Sequence, residues 1–512
     1  MIEAFTDWFH RTRVDGRPWL ILGKGPSFGR LAEFGPERFR LLSLNHVVRE
    51  LPVEVAHIID LDVVDACADV LQRQARVLVM PWYPHVRNRV GRRTLEDIVP
   101  GHPVLARLAA EGRLLWYNLS TAPDARPGSP VVPVSYFSAE AALGLLARSG
   151  ARVVRSLGVD GGTAYGAAFD DLKEKTRLNN GHPSFNLQFA GIARSIMTTG
   201  VDYAPLTVES PVRVYVGSQE AQMLAVKVLE HSIRKHASLS VEVFPMHQAH
   251  IEFPTPREVR NRPRTPFSFQ RFTIPQLAGY HGRALYVDSD MQVFRDVREI
   301  WTLPFQGAQI LAAREPGESG RKPQFSVMLL DCDALTWNPE SVVGYLDRGE
   351  FTYEQLMYEM KLASHRADIP PEWNSLERFE EGRTGLLHYT DMTKQPWISA
   401  ANPRGYLWVR GLLEAVESGF ITRDYVEEHV RLGYVRPSLL VQLDERKEEP
   451  ATLSRAARAL DDGYVAPYQQ MGPHGTSGVP SALGRIKAQL RHLYEYSIVK
   501  RVLRRLSGST AT

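Results

Sequence analysis

The chain has 512 residues, of which 44% are hydrophobic and 23% charged, and its formal net charge is +3. This length indicates about two to four globular domains, and the small net charge gives no reason to expect a nucleic-acid partner. The two cysteines, Cys67 and Cys332, are too few for a disulfide framework or a cysteine-rich zinc site. Residues 1–15 lack the apolar centre of a signal peptide, and no apolar run approaches the roughly 20 residues of a membrane span. We therefore expect a cytoplasmic protein.

Strands and helices alternate through the first 208 residues. Strands are expected at 19–22, 41–48, 55–61, 77–80, 114–117 and 153–159. Helices are expected at 63–74 and 138–148. This alternation predicts a doubly wound, mostly parallel sheet, in which ligands bind at the carboxyl ends of the strands.

A glycine-rich turn follows the first of these strands and precedes an expected helix start. It consists of Gly23, Lys24, Gly25, Pro26 and Ser27. Glycines let the backbone approach a phosphate closely, and the first turn of a helix favours a negative charge. The turn therefore predicts a nucleotide pocket. Other polar residues at strand ends are Asn45, Asp60, Asp62, Asp160 and Gly161.

The order of ILGKGPSF, SLNHVV, HIIDLD and SAEAALGLLARSGARVVRSLGVDGG resembles the sialyltransferase-like fold. That fold includes family 42 sialyltransferases and related flagellar-modification and pterin-pyrophosphokinase-like proteins. The resemblance covers about residues 18–206. It implies that the glycine-rich turn and Asn45 line a nucleotide pocket, that Asp160 meets the ligand, and that residues 179–186 form a polar loop over it. It leaves open whether this half is a second transferase using a CMP-sugar or a degenerate or acceptor-binding module, and His46, His57 and His182 all stay candidates for a base.

A second strand–turn–helix unit begins near residue 209. A strand at 213–217 leads through Ser218 to Glu220 into a helix at 221–235, and another strand is expected at 241–244. The Arg- and Pro-rich stretch at 254–266 is typical of a surface loop and is a candidate lid. We divide the chain into domains at 1–208 and 209–470, followed by a linker and helix at 471–512.

Asp288, Ser289 and Asp290 follow a short apolar strand at 284–287. Two carboxylates one residue apart at a strand end can both approach one hard cation, and oxygen ligands suit Mg²⁺ or Mn²⁺. Such a triplet alone is also common in solvated turns, so its assignment depends on the surrounding sequence.

The surrounding segment, residues 265–301, resembles the core of glycosyltransferase family 8. Further matches follow in the family's order: QFSVMLLDCD at 324–333, EQL at 354–356, PEWN at 371–374 and HYTDMTKQPW at 388–397. These are GT-A enzymes that use nucleotide-sugar donors and retain the anomeric configuration. Asp391 in place of a glycine and the additional Gln395 depart from the family pattern, and the resemblance places both on the phosphate side of the site.

The resemblance implies a role for each matching residue. Asp288, Asp290 and His388 would bind Mn²⁺ or Mg²⁺, and Gln355 would lie against the anomeric face of the sugar, with Asp290 as the second catalytic residue. The donor contacts would come from Val216, Gly217, Ser218, Gln219, Arg271, Ser289 and Lys394.

The segment 481–506 has apolar residues at helical spacing, and its seven Lys and Arg side chains stand against a single acid. This pattern predicts a basic amphipathic helix that lies on an anionic membrane surface or docks on the protein with its basic face in solvent. The first alternative would place the protein peripherally at the inner face of the cytoplasmic membrane.

These patterns together predict an α/β protein with two Rossmann-like nucleotide-binding domains, the second of GT-A type, and a basic C-terminal helix. The predicted activity is metal-dependent, retaining transfer of a sugar from a UDP-sugar to a cell-surface glycan or lipid-linked acceptor, as in lipopolysaccharide or capsule synthesis. Two alternatives stay open: the N-terminal domain carries the chemistry, or both domains bind glycan or nucleotide without catalysis.

Overall fold

The computed structural model describes residues 2–12, 16–175, 178, 181–265, 267–313 and 325–470. The predicted linker and basic helix at 471–512 lie outside the described residues, as do Asn179, Asn180, Pro266 and Gln324.

The first half of the chain forms one large parallel sheet with helices on its faces. Its strands are β1 (Glu3–Ala4), β2 (Trp19–Leu22), β3 (Arg40–Leu44), β4 (Val53–His57), β5 (Ala75–Pro81), β8 (Leu114–Leu119), β9 (Val131–Val132), β10 (Val153–Leu157) and β11 (Asp202–Pro205). A separate hairpin consists of β6 (His85–Val86) and β7 (Arg89–Val90). The helices are α1 (Phe5–Thr12), α2 (Leu61–Ala66), α3 (Ala68–Gln74), α4 (Leu95–Ile98), α5 (Pro103–Ala110), α6 (Ser138–Arg148) and α7 (Gln188–Thr199).

The strands of this sheet run in the order β1-β8-β5-β4-β3-β2-β10-β11, with β9 beside β8, and all of these pairs are parallel. All four residues of β2 are buried, as expected of a central strand whose sheet is covered on both faces. The carboxyl ends of β2, β3, β4 and β10 therefore meet at one edge, where the predicted polar residues lie.

Several predicted boundaries were wrong, and three of the differences are large. The strand expected at 41–48 ends at Leu44, because Asn45 takes a positive φ of 53° and begins a short 3-10 helix, Asn45–Arg49. The strand expected at 55–61 is β4, which ends at His57. The helix expected at 63–74 is divided into α2 and α3 at Cys67, whose φ of −112° and ψ of 10° are not helical.

The second half contains a mixed sheet and a small second sheet. The strands are β12 (Val212–Gly217), β13 (Val241–Pro245), β14 (Arg283–Asp288), β15 (Met291–Val293), β16 (Ile310–Ala313), β17 (Val327–Asp331), β18 (His365–Ile369), β19 (Ser375–Leu376) and β20 (Leu386–His388). The helices are α8 (Met223–His236), α9 (Ile274–Leu277), α10 (Arg298–Trp301), α11 (Pro339–Asp347), α12 (Tyr353–Met357), α13 (Gly405–Glu417), α14 (Arg423–Arg431), α15 (Ser438–Glu445) and α16 (Arg455–Arg458).

The larger sheet has the order β13-β12-β14-β17-β16-β18. Strands β13, β12 and β14 are parallel, whereas β17 runs antiparallel to both β14 and β16. The smaller sheet, β15-β20-β19, stands at the end of β14. The predicted α/β class with two Rossmann-like units is therefore confirmed, with an antiparallel strand inside the second.

The two halves are in contact. The Tyr203 N–H donates to Oγ of Ser240 at 2.9 Å, and the Ser240 N–H donates back to the Tyr203 carbonyl at 3.1 Å. The guanidinium of Arg298 lies 4.3 Å from the centre of the Phe189 ring. No helix among the described residues is both long and apolar enough to cross a membrane.

Candidate functional site

The Asp-x-Asp triplet lies where the large and small sheets of the second half meet. Asp288 is the last residue of β14, and Asp290 immediately precedes β15. Strand β15 pairs antiparallel with β20 so that Met291 faces His388, the last residue of β20. This register brings His388 beside the triplet, and the ligand atoms of Asp288, Asp290 and His388 all lie within 4.8 Å of one another. We call these three residues the Asp–Asp–His group.

The imidazole of His388 is oriented by Asn374. Its Nδ1 lies 2.9 Å from Oδ1 of Asn374, and both side chains are buried. An amide oxygen can only accept a hydrogen bond, so Nδ1 carries the proton and donates. In the neutral ring Nε2 therefore carries no proton and directs its lone pair to the triplet. A histidine that binds a metal through Nε2 requires this tautomer.

Asp290 has one oxygen held by the protein and one facing the imidazole. Its Oδ2 accepts a hydrogen bond of 2.8 Å from the side-chain amide of Gln395. Its Oδ1 is buried, lies 3.2 Å from Nε2 of His388, and has no hydrogen-bond donor among the described residues. Two atoms with lone pairs facing each other in a buried place fit a shared cation, so the residues present suit a divalent metal.

Two residues, Tyr286 and Arg271, lie beside the carboxylate of Asp288 and orient it. The Tyr286 hydroxyl donates to Oδ1 of Asp288 at 2.6 Å, and Nη2 of Arg271 lies 4.0 Å from the same oxygen. Burial raises the pKa of Asp288, while the charge of Arg271 opposes that rise. Arg271 is itself buried and donates to the Tyr286 hydroxyl at 3.4 Å and to the Phe325 carbonyl at 3.2 Å. Its nearby positive charge therefore favours the ionised form of Asp288, and its donor-binding role stays a prediction.

The end of β12 packs against this group. A Cβ on Gly217 would clash with the Tyr286 hydroxyl, so the glycine leaves room for the group that orients Asp288. The Ser289 N–H donates to the Gly217 carbonyl at 3.2 Å, which ties the triplet to β12. Val216 and Ser218 are buried, and the Ser218 hydroxyl donates to the Val216 carbonyl at 3.1 Å and lies 2.9 Å from Nδ1 of His247.

Three further predicted residues have contacts of their own. Gln219 precedes the 3-10 helix Glu220–Gln222, and its N–H donates to Oε1 of Gln222 at 3.0 Å. Gln355 lies in the first turn of α12, and its side-chain oxygen accepts the N–H of the capping residue Thr352 at 2.9 Å. Lys394 is 53% exposed, with Nζ 3.3 Å from the Asp391 carboxylate. Within the described residues none of them is hydrogen-bonded or ion-paired to the Asp–Asp–His group, and their donor or catalytic roles stay predictions.

The N-terminal half contains a cavity of about 380 Å³ at the carboxyl ends of its strands. The residues named from the sequence that line it are Gly23, Lys24, Gly25, Asn45, His46, Asp60, Asp62, Asp160 and Gly161. Pro26 begins the 3-10 helix that follows the turn, and Asn45 donates from its side-chain amide to Oγ of Ser138 at 3.1 Å.

The glycine-rich turn is bonded to its own sheet, which differs from the predicted phosphate cradle. The Gly23 N–H donates to the Leu157 carbonyl and the Gly25 N–H to the Gly158 carbonyl, both at 2.8 Å. The Ser27 N–H and hydroxyl both donate to the Asp160 carboxylate, the former at 2.7 Å. A Cβ on Gly25 would lie 2.6 Å from that carboxylate. The glycines are therefore required by close packing of the turn on β10 and Asp160, and these three amides are already engaged.

The sequence indicated some of these supporting residues without their roles. Asn374 belongs to the PEWN motif, which matches the family order, but no neighbouring residue indicates that its amide contacts His388. Gln395 is an insertion relative to the family pattern, and its contact with Asp290 spans 105 residues of sequence. Tyr286 fits the pattern of an apolar strand, although its side chain and that of Asp288, two positions later, point to the same face of the strand.

No protein-family model matches the sequence. Among solved structures, the chain is similar to the apo structure of the bifunctional glycosyltransferase WbbM, at 14% identity over 41% of this chain and 51% of that chain, with a TM-score of 0.30. It is similar to the apo form of the glycosyltransferase GlyE of Streptococcus pneumoniae, at 17% identity over 43% and 64%, with a TM-score of 0.31. The galactosyltransferase LgtC with donor and acceptor sugar analogues matches at 9% identity over 41% and 96%, with a TM-score of 0.29. TM-scores of this size do not establish a common fold, so the function of the site depends on its own residues.

A curated relative is similar at the level of sequence. Protein CDI of Arabidopsis thaliana is 36% identical to the chain over 219 residues, which make up 38% of this chain and 82% of that protein. At this identity over most of the length of the relative, the chain belongs to the same family as Protein CDI.

Proposed function

We propose that the second half of the chain is a metal-dependent glycosyltransferase domain of GT-A type that uses a nucleoside-diphosphate sugar. The observation that carries the proposal is the Asp–Asp–His group, in which the buried Oδ1 of Asp290 and the lone pair of His388 Nε2 converge with the Asp288 carboxylate. The group lies at the carboxyl end of β14, where ligands of open α/β sheets bind.

A divalent ion held there would stabilise the negative charge that develops on a departing nucleoside diphosphate. The residues of the chain would hold and orient it: Asn374 fixes the tautomer of His388, and Gln395 holds one oxygen of Asp290. Tyr286 and Arg271 favour the ionised form of Asp288 by a hydrogen bond and a nearby positive charge.

The finer parts of the proposal follow from the resemblance to glycosyltransferase family 8. They are a UDP-sugar donor, Mn²⁺ as the preferred ion, retention of anomeric configuration, and a cell-surface glycan or lipid-linked acceptor. Gln355 and Lys394 would act on the sugar and the diphosphate in this scheme.

The test is hydrolysis of a panel of UDP-, CMP- and GDP-sugars by the full chain, with Mn²⁺ and with EDTA. We expect turnover of one UDP-sugar that requires the metal. Turnover of a CMP-sugar in EDTA would instead place the chemistry in the N-terminal half. If no donor turns over, Mn²⁺ and UDP are titrated into the protein. Binding of both would indicate a strict requirement for the acceptor. Binding of neither would contradict the proposal.

Gln395→Leu should weaken Mn²⁺ binding about tenfold. The substitution removes the donor that holds Oδ2 of Asp290, and loss of such outer partners typically lowers metal affinity about 10–100-fold. Isothermal titration with Mn²⁺ measures the effect. Gln276→Leu, which changes an exposed glutamine of α9 in the same half, is the control, and equal affinities of the two variants would contradict the assignment.

Full-length protein should bind vesicles that contain anionic lipid and not neutral vesicles. Three charge reversals in the basic segment should lower the partition coefficient by about a hundredfold, because each basic residue near an anionic surface contributes about 1 kcal/mol. The substitutions are Arg501→Glu, Arg504→Glu and Arg505→Glu.

The matched control reverses three exposed arginines of the N-terminal half, and co-sedimentation measures the partition. The control substitutions are Arg73→Glu, Arg92→Glu and Arg152→Glu. Equal losses in both variants would show that overall charge, not the C-terminal segment, determines the binding.

A further inference from the structure

We propose that the cavity of the N-terminal half is a metal-independent site for a small phosphorylated ligand that carries a ring, with Lys24 as the cation that contacts the phosphate. The proposal concerns a different site from the Asp–Asp–His group and does not depend on the function proposed for it. At about 380 Å³ the cavity is in the size range of sites for small metabolites and cofactors.

Lys24 supplies a positive charge inside this cavity. Among the described residues its ammonium group has neither an ion-pair partner nor a hydrogen-bond acceptor, and it lies 4.5 Å from the centre of the Tyr165 ring. Burial, together with the nearby charge of Arg49, lowers the pKa of Lys24 to about 8. Since a partly buried ammonium group without an ion-pair partner is unfavourable, an anion in contact with it would be stabilised.

Other groups beside Lys24 also favour an anion. The Nδ1 of His46 is buried and has no hydrogen-bond partner among the described residues. Burial and the charge of Lys24 lower the pKa of His46 to about 4, so the neutral ring can offer one N–H. Lys175 lines the same cavity. A phosphate has several acceptor oxygens and could satisfy these donors together.

The carboxylates that line the cavity are already engaged by the backbone. Asp60 accepts the Asn88 N–H at 2.7 Å, and Asp62 accepts the Arg87 N–H at 2.6 Å, which holds the tip of the β6–β7 hairpin. Asp160 accepts from Ser27, as described above. Within the described residues the only group of His, Cys, Asp and Glu that could hold a metal is the Asp–Asp–His group of the second half. Lys24, rather than a metal bridge, is therefore the group that meets the charge of the ligand.

Aromatic side chains form another part of the cavity wall. The rings of Tyr165 and Phe185 are stacked with centres 5.4 Å apart, and Phe137 meets Phe185 edge-on at 5.2 Å. All three line the cavity. Flat aromatic faces beside a cation suit a ligand in which a phosphate is joined to a sugar or base ring.

The test titrates CMP, UMP and ribose 5-phosphate, at up to millimolar concentration and in EDTA, into full-length protein carrying Asp288→Asn and Asp290→Asn. These substitutions and EDTA prevent metal-dependent binding at the Asp–Asp–His group. A lack of binding in this test therefore concerns only the N-terminal cavity and not the proposed transferase. We expect at least one probe to bind, and Lys24→Met to weaken it at least about tenfold, as for loss of a charged hydrogen bond.

The matched control is Lys173→Met, which removes an exposed lysine that is ion-paired to Asp170 in the same half. It should leave the affinity unchanged, and Lys24→Arg should restore part of what Lys24→Met loses. Thermal unfolding shows that each variant is folded. The proposal is overturned if wild-type and variant affinities are equal, if binding needs a divalent metal, or if none of the three probes binds. A difference between the nucleotides and ribose 5-phosphate identifies whether the base contributes.

Discussion

Asp290→Asn should lower metal-dependent donor turnover by about 1,000-fold or more, and Mn²⁺ should no longer raise the rate. The substitution keeps the shape of the side chain but removes the charge of the carboxylate whose Oδ1 is buried beside His388. A bound metal contributes several kcal/mol to stabilising charge in a transition state, and each 1.36 kcal/mol corresponds to about tenfold in rate.

The same substitution should remove the stabilisation that Mn²⁺ gives to the folded protein. In wild type we expect the midpoint of thermal unfolding to rise with Mn²⁺, because a ligand that binds only the folded state stabilises it. In EDTA the variant should be at least as stable as wild type, since Asp288 and Asp290 repel each other without a cation.

The matched control is Asp333→Asn, which changes an exposed carboxylate of the same half that pairs with His281. It should retain both turnover and the response to Mn²⁺. Full turnover by Asp290→Asn, or equal effects of the two substitutions, would refute a metal site at the Asp–Asp–His group.

Asn374→Leu should weaken Mn²⁺ binding by about 10–100-fold although Asn374 is not itself a predicted ligand. Without the side-chain oxygen of Asn374, Nδ1 of His388 loses the acceptor that fixes its proton, and the ring can turn or shift its proton to Nε2. The buried hydrogen bond is also lost, so we expect unfolding to become easier by about 1–3 kcal/mol.

Two measurements separate these effects. Mn²⁺ titration gives the affinity, and denaturant unfolding in EDTA gives the stability without metal. Asn374→Asp, which keeps an oxygen acceptor for Nδ1–H, should recover most of the metal affinity. A loss of stability with unchanged affinity would assign Asn374 to packing alone.

Local patterns were sufficient for most of the elements. The apolar runs at 19–22 and 284–287 became β2 and β14, and the helix predicted at 138–148 is α6. These predictions succeed because strand and helix periodicity is a property of neighbouring residues. The predicted strand at 41–48 failed where one residue, Asn45, adopts a left-handed backbone that its pattern does not reveal.

The glycine-rich turn shows a different limit. Its composition correctly indicated a close backbone approach at the end of a strand, but not which group approaches. In the fold, the Gly25 amide donates to the Gly158 carbonyl and a Cβ on Gly25 would meet the Asp160 carboxylate, while the side chain of Lys24 lines the cavity.

The sequence by itself determined the α/β class, the Asp-x-Asp triplet at a strand end and the candidate residue His388. Only the tertiary structure decided that β15 pairs with β20 in the register that places His388 beside Asp290, and that Asn374, Gln395 and Tyr286 orient the three side chains. The reason is physical: an element forms from contacts among neighbours in the chain, whereas a site forms from strand register and side-chain packing between segments that are far apart in sequence.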